Sequence, residues 1–99
     1  MVKNYRYTEV GKYVVEDIFM LDNSTCNMTF FAEKVKDGLK QIEVEYWLDD
    51  KSWHFVMNYY DDYEGFVDHE EFKGFTEEEK QKCKDIMAEY IDSVMYNKD

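Results

Sequence analysis

The chain has 99 residues, of which 44% are hydrophobic and 18% aromatic, and its formal net charge at pH 7 is −11. This length predicts a single domain, and large aromatic side chains allow a short chain to bury a sizeable core. The negative charge argues against nucleic acid or anionic lipid as the ligand, because their phosphates would be repelled, and it favours basic partners.

The sequence also bears on location and on the state of the cysteines. No apolar run approaches the roughly 20 residues that a membrane-spanning helix requires. Residues 1–6 lead into polar sequence without the apolar stretch of a signal peptide, so we expect a cytoplasmic location. In that compartment Cys26 and Cys83 are expected to be free, buried thiols. Neither belongs to a CxxC pair, which disfavours a zinc site.

The first two-thirds of the chain is typical of β-strands. Residues 12–21 are rich in β-branched and aromatic side chains, but the run from Tyr13 to Phe19 equally fits one or two helical turns, so both structures stay open. The polar cluster at 22–25 predicts a turn. Segments 27–35 and 40–48 then flank Asp37-Gly38, and this dipeptide between alternating runs predicts a β-hairpin.

Alternation of apolar and polar side chains is clearest after that hairpin turn. One face of segment 40–48 carries Ile42, Val44, Tyr46 and Leu48. The other face carries Glu43, Glu45 and Trp47. After a turn at 49–51, segment 52–60 again places aromatic and apolar side chains on one face. Such alternation is typical of half-buried strands, so we predict an antiparallel meander sheet of about four strands.

The last element is predicted to be a long amphipathic helix. Thr76 followed by Glu79 forms a capping box, and acidic residues in the first turn complement the helix dipole. An apolar stripe then recurs at three- and four-residue spacing and comprises Cys83, Ile86, Met87, Tyr90, Ile91, Val94 and Met95. A helix of this kind needs an apolar surface to cover, so the predicted fold class is α+β, with the helix packed on the sheet.

Most of the charge imbalance lies in one connecting segment. Residues 61–79 hold nine acidic residues against Lys73 alone. Aromatic residues alternate with the acids between 61 and 75. One interpretation is a solvated connection that Phe66, Phe72 and Phe75 attach to the core. The other is a functional surface, because carboxylates crowded within a Debye length of roughly 8 Å repel one another unless a cationic partner relieves them.

In size, charge and lack of catalytic motifs, the chain resembles the small phage-encoded inhibitors of bacterial defence, the anti-CRISPR and anti-restriction proteins, some of which resemble DNA in their charge. The resemblance implies a non-catalytic inhibitor that acts in the bacterial cytoplasm and blocks the nucleic-acid site of a basic nuclease, without binding nucleic acid itself. It rests on class-level traits and on no diagnostic motif. The expected partner-binding residues are Asp61, Asp62, Tyr63, Glu64, Phe66, Asp68, Glu70 and Glu71, with Asp49 and Asp50 extending the patch.

Two other classes of function stay open. An immunity protein that neutralises a nuclease toxin would use the same electrostatics. A divalent-metal module is the third possibility, because residues 60–71 resemble an EF-hand loop with Gly65 at its sixth position, although Tyr60 replaces the usual first aspartate. Its ligands would be Asp62, Glu64, Asp68 and Glu71. We expect no enzyme activity and no cofactor, because the sequence has no GxSxG, HExxH or glycine-rich phosphate loop.

Overall fold

The computed structural model describes residues 4–36, 38–60, 66–69 and 73–96, and these residues form an antiparallel sheet followed by a C-terminal helix. The predicted α+β class is therefore confirmed. The strands are β1 (Glu9–Val10), β2 (Tyr13–Met20), β3 (Thr25–Phe30), β4 (Glu33–Val35), β5 (Gly38–Trp47), β6 (Ser52–Tyr60) and β7 (Phe66–His69). The helix α1 (Glu77–Ile91) continues into a π-helical turn at Asp92–Tyr96.

The sheet has the order β1-β2-β3-β5-β6-β7, and β4 pairs with β5 beside that path. It therefore contains more strands than the four expected, because the short strands β1, β4 and β7 join it. The longest strand, β5, pairs antiparallel with three others, namely β3, β4 and β6. Its register sets which residues of its neighbours share a face of the sheet.

Residues 13–20 form a strand, which resolves the choice between strand and helix that the sequence left open. The pairing of β2 with β3 contains an irregularity between Val15 and Asp17. Because one extra residue lies at this bulge, Val15 and Ile18 are both buried although they are three positions apart. A spacing of three is typical of a helix, and the bulge is the physical reason that the pattern was ambiguous.

The predicted strand 27–35 is wrong as a single element. The chain runs in β3 only as far as Phe30, and β4 begins at Glu33. At the break, the Phe31 amide donates to the carbonyl oxygen of Val14 at 3.0 Å, and the Phe31 ring stacks on Tyr7 at 5.7 Å between centroids. These contacts turn Phe31 toward β2 and the N-terminal segment. The predicted hairpin does form between β4 and β5, with Val35 opposite Gly38, although Asp37 lies outside the described residues.

Part of the segment that was expected to be an irregular connection is a strand. β7 pairs antiparallel with β6, with Tyr60 opposite Phe66 and Asn58 opposite His69. Phe66 and Asp68 therefore belong to a strand at the end of the sheet rather than to a loop. This pairing holds residues 66–69 of the acidic segment against β6, which itself forms a long hairpin with β5.

The core lies between one face of the sheet and α1. Cys26, Met28 and Phe30 of β3 and Ile42 and Val44 of β5 point to this face and are almost completely buried. Helix residues that join the same cluster are Cys83, Met87 and Ile91. They belong to the predicted apolar stripe, whose members Ile86, Tyr90 and Met95 pack against the core while partly exposed. We call this side of the sheet the core face.

The start of α1 is fixed by the predicted capping box. The Glu79 amide donates to Thr76 Oγ1 at 3.1 Å, and the Thr76 amide donates to Glu79 Oε1 at 2.9 Å. Gly11, in the turn between β1 and β2, has a φ of +61° and lies against this box. A Cβ at position 11 would lie 2.8 Å from Glu79 Cδ, so a side chain there would displace the capping carboxylate. The turn and the helix start are thus packed directly against each other.

The N-terminal segment is attached to the other end of α1. The Tyr5 hydroxyl donates a hydrogen bond to Glu89 Oε1, and the Tyr5 ring meets Tyr90 edge to face at 6.3 Å between centroids. Burial is the main reason that the pKa of Tyr5 is raised above its usual range, with the neighbouring Glu89 carboxylate adding to it.

Within the described residues, no helix is long and apolar enough to cross a membrane.

Removal of the cap at Thr76 should destabilise the protein. We expect Thr76→Ala to lower the free energy of unfolding by about 1 kcal/mol, because the Glu79 amide loses its acceptor. Urea denaturation followed by circular dichroism measures this loss. Thr76→Ser is the matched control, since it keeps the hydroxyl and should unfold close to the native midpoint. Equal losses in both variants would contradict the capping role.

Both cysteines should be unreactive in the folded protein. Cys26 and Cys83 are fully buried, and burial raises the pKa of each thiol to about 12. A raised pKa keeps the thiol protonated at pH 8, so the thiolate that attacks disulfide reagents is about a thousandfold scarcer than for an exposed cysteine. We expect an aromatic disulfide reagent to label neither thiol in the native protein and both in guanidinium chloride. Rapid labelling of either native thiol would contradict the packing.

Candidate functional site

The structure describes only part of the predicted partner-binding patch. Asp49 and Asp50 are exposed in the turn between β5 and β6. Phe66 and Asp68 are residues of β7, with backbone paired to β6. The remaining predicted residues lie outside the described residues, so their clustering stays a prediction, and they are Asp61, Asp62, Tyr63, Glu64, Glu70 and Glu71.

The calcium-loop alternative is set in strands rather than helices. An EF-hand loop connects two helices. Here its first position, Tyr60, is the last residue of β6, and its ninth, Asp68, lies in β7. The other proposed ligands, Asp62, Glu64 and Glu71, lie outside the described residues. Across the described part of the chain, no group of three His, Cys, Asp or Glu residues is placed to hold a metal ion.

The sheet has a second face, opposite the core face, which we call the open face. Strand register assigns its residues, because directly paired residues point to the same side. From β2 and β3 they are Asp17, Phe19, Thr25, Asn27 and Thr29. From β5 and β6 they are Gln41, Glu43, Glu45, Trp47, Ser52, His54, Val56 and Asn58. None of these residues is a lysine or an arginine, but Lys34 of β4 pairs with Leu39 and belongs to the same side, and Arg6 lines a cleft with Asp17. On the part of the open face that holds Glu43, Glu45 and Trp47, the acidic side chains form no described ion pair.

One row of contacts crosses the open face around Trp47. The Trp47 indole Nε1 donates to Glu45 Oε1 at 2.9 Å. The indole ring also lies over the His54 ring, with centroids 4.0 Å apart and planes 33° apart. Ser52 Oγ in turn lies 3.0 Å from His54 Nε2. The contacts with Glu45 and His54 therefore hold the Trp47 ring in one orientation, yet 40% of the surface of Trp47 is exposed.

A second contact lies next to this row. Asn58 Nδ2 donates to Glu43 Oε2 at 3.3 Å, and Asn58 is buried. Glu43 and Glu45 thus both accept hydrogen bonds from neutral groups, and within the described residues neither forms an ion pair with a lysine or arginine. Two other acidic residues differ, because Glu33 lies 3.3 Å from Lys40 and Glu77 lies 3.4 Å from Lys80.

On this face, the side chain of Asn27 has an oxygen atom without a hydrogen-bond partner among the described residues. It lies on β3 directly between Phe19 of β2 and Glu45 of β5, and only 4% of its surface is exposed. Its Oδ1 atom is fully buried and has no hydrogen-bond donor in the described structure. A buried carbonyl without a donor costs about 1–3 kcal/mol. Buried polar groups without a partner in the protein are rare, and a bound water, ion or ligand can supply the donor.

The structure excludes one possible catalytic pair. A cysteine nucleophile needs a histidine within hydrogen-bond reach. Cys26 faces the core and is paired with Tyr46, whereas His54 is paired with Glu45 and lies on the open face. The two side chains are on opposite sides of the sheet, so they cannot form a nucleophile and base pair.

Two clefts accompany these features. The first, of about 340 Å³, lies beside the end of α1 on the core side, and its lining includes Tyr46, Trp53, Lys51, Asp92 and Tyr96. The second, of about 450 Å³, lies at the margin of the open face and is lined by Arg6, Glu16, Asp17 and Thr29. In the second cleft a basic side chain adjoins the acids of β2, so the acidic character of the open face is strongest on β5.

Sequence reasoning found part of this surface. Alternation in segment 40–48 correctly placed Glu43, Glu45 and Trp47 on one side of the strand. It missed Asn27, because the burial of that side chain follows from the pairing of β3 with both β2 and β5. An asparagine within a strand, where this residue type is uncommon, was the available signal. No protein-family model matches the chain, and no curated protein and no solved structure shows significant similarity to it.

An apolar side chain of the same shape should suit position 27 better than asparagine does. We expect Asn27→Leu to raise the free energy of unfolding by about 1 kcal/mol, because the carbonyl without a donor is removed. Urea denaturation measures the change. The matched control is Asn58→Leu, which removes a hydrogen-bonded amide from the same face and should lower stability. A loss of stability in Asn27→Leu would mean that the amide is satisfied.

Proposed function

We propose that this protein is a non-catalytic inhibitor that presents an acidic surface to a basic, nucleic-acid-binding protein, such as a CRISPR or restriction nuclease, and blocks its nucleic-acid site. The observation that carries the proposal is the open face of β5. There, Glu43 and Glu45 lie on the same side of one rigid strand, with neutral donors as their only described partners and Trp47 beside them.

Strand geometry supports this interpretation. Residues two positions apart on a strand are separated by about 7 Å, which is within the Debye length of roughly 8 Å at physiological salt. A cationic groove on a partner would therefore interact with both carboxylates at once. Basic grooves that bind nucleic acid contact closely and regularly spaced negative charges. The carboxylates of β5 offer that spacing without the flexibility of a loop.

Neighbouring features extend the acidic surface. Asp49 and Asp50 are exposed in the turn that follows β5, so they continue the negative surface past Trp47. The net charge of −11 would accelerate association with a basic partner and would repel nucleic acid. Tryptophan is enriched among residues that dominate binding energy, and Trp47 is the exposed aromatic ring on this surface.

Inhibition assays with purified enzymes test the proposal. The protein is titrated into DNA-cleavage reactions of a panel of CRISPR nucleases, restriction nucleases and nuclease toxins, each at 50 and 300 mM salt. We expect inhibition of at least one defence nuclease that weakens about tenfold or more at the higher salt. The double variant Glu43→Gln/Glu45→Gln should lose inhibition by roughly tenfold or more, because two charge contacts are removed.

Glu9→Gln is the matched control, because Glu9 is an exposed acid on β1, at the other end of the strand order. It makes the same chemical change on the outermost strand, three positions from β5 in the strand order, and should leave inhibition unchanged. Inhibition of nuclease toxins alone would overturn the defence-nuclease target in favour of an immunity protein. Failure to inhibit any member of the panel, or inhibition that is insensitive to salt and to the double variant, would overturn the proposal.

A further inference from the structure

We propose that the open face contains a receptor site for one arginine side chain of the partner, in which the guanidinium stacks on Trp47, pairs with Glu43 and Glu45, and donates to Asn27 Oδ1. This inference rests on the proposed function in that the partner is basic, and it adds the chemical group that is recognised. Four side chains from β3 and β5 carry it, and their positions relative to one another follow from the strand register.

The register brings the four side chains together around one point. Asn27 lies directly opposite Glu45, while Thr25 and Thr29, the next residues of β3 on the same face, lie opposite Trp47 and Glu43. Directly opposed residues have Cβ atoms about 5 Å apart, and diagonal neighbours are about 7–8 Å apart. The Cβ atoms of Glu43, Glu45 and Trp47 therefore lie within about 8 Å of that of Asn27, and a guanidinium bound above Asn27 is within reach of these long side chains.

The carboxylates have acceptor capacity that their present contacts do not use. A carboxylate offers about four lone-pair positions on its two oxygens. The hydrogen bonds described for Glu45 and Glu43 come from Trp47 and Asn58, and each involves a single oxygen. Arginine supplies five N–H donors in a planar fork and has no acceptor, so it matches a group of acceptors that lacks a cation.

The indole favours arginine over other cations. Trp47 is fixed by its hydrogen bond to Glu45 and by its contact with His54, yet its ring is 40% exposed. A guanidinium stacks flat on such a ring and still forms in-plane hydrogen bonds, whereas a lysine ammonium offers a point charge without a matching plane. A ring already held in place loses little conformational freedom on binding.

In the described structure, the side-chain carbonyl of Asn27 lacks a hydrogen-bond donor, which a bound arginine would supply. Asn27 Oδ1 is buried and lacks a donor among the described residues, and Asn27 is paired directly with Glu45. An N–H group from the partner would remove this deficit. Because the atom is covered in the free protein, the arginine reaches it when a neighbouring side chain moves aside. The bound state then satisfies the group that the free protein leaves unsatisfied.

Binding of short peptides tests the site directly. Capped hexa-arginine and hexa-lysine peptides are titrated into the protein at 50 mM salt by isothermal calorimetry. Fluorescence of a Trp53→Phe variant, in which Trp47 is the remaining tryptophan, gives a second readout at the site. We expect hexa-arginine to bind roughly fivefold or more tightly than hexa-lysine and to change the Trp47 emission. Equal affinity of the two peptides for the native protein would overturn the site.

Variants test which residues produce the preference for hexa-arginine over hexa-lysine. Glu45→Gln should bring the two peptide affinities within about twofold of each other, because the in-plane acceptor is lost. Asn27→Leu should weaken hexa-arginine binding although its fold is at least as stable, so the loss cannot be attributed to unfolding. Glu9→Gln should keep the native preference. Retention of the arginine preference in both Glu45→Gln and Asn27→Leu, or its equal loss in Glu9→Gln, would overturn the site.

The outcomes separate this inference from the proposed function. If the peptides show no arginine preference but nuclease inhibition still depends on Glu43 and Glu45, the acidic inhibitor stands and the arginine site is wrong. If the arginine preference is present and depends on Asn27 and Glu45 while no nuclease is inhibited, the site stands and the proposed function is wrong. Calcium at 1 mM serves as a competing probe, and displacement of hexa-arginine by calcium but not by an equal ionic strength of sodium chloride would identify a metal site instead.

Discussion

The pleat of β5 determines the environment of most side chains in the sheet. This strand is hydrogen-bonded to β3, β4 and β6, so its alternation is copied into the strands beside it. Ile42 and Val44 bring their partners into contact with α1, while Glu43 and Glu45 bring theirs to the opposite side. A shift of the register by one residue would place carboxylates in the core, so the stability of the core and the composition of the open face are set together.

The described acidic residues of this protein differ in the contacts that their carboxylates make. Glu79 closes the helix cap, and Glu77 and Glu33 are matched by lysines, so these carboxylates stabilise the fold. Glu43 and Glu45 are instead held by neutral donors and form no ion pair with a lysine or arginine among the described residues. Asp22 and Asp85 also accept hydrogen bonds from neutral groups, so the feature that distinguishes Glu43 and Glu45 is their position on one side of a regular strand beside Trp47. The distinction directs attention to β5 as well as to the acidic segment that composition alone highlights.

Local patterns in the sequence sufficed for the helix, its capping box and the two faces of segment 40–48, because each depends on residues only a few positions apart. The break after Phe30 and the strand β7 were missed, since they depend on contacts with Val14 and with β6 that are distant in the chain. Asn27 escaped for the same reason. The predicted patch at 61–71 stays a prediction, whereas the outward position of Glu43, Glu45 and Trp47 was predicted and is confirmed.

The two strands that end the hydrogen-bonded order are short. β1 has two residues and β7 has four, whereas β2, β5 and β6 have eight, ten and nine. A sheet grows by adding chains to the free amides and carbonyls along its outermost strands, and short outermost strands offer few of them. They also cover little of the strands next to them, because β1 pairs with Tyr13 and Val14 of β2, and β7 pairs with residues 58–60 of β6. The outer sides of residues 16–20 and 52–57 therefore have no described main-chain partner, and these are the places where another chain can add to the sheet.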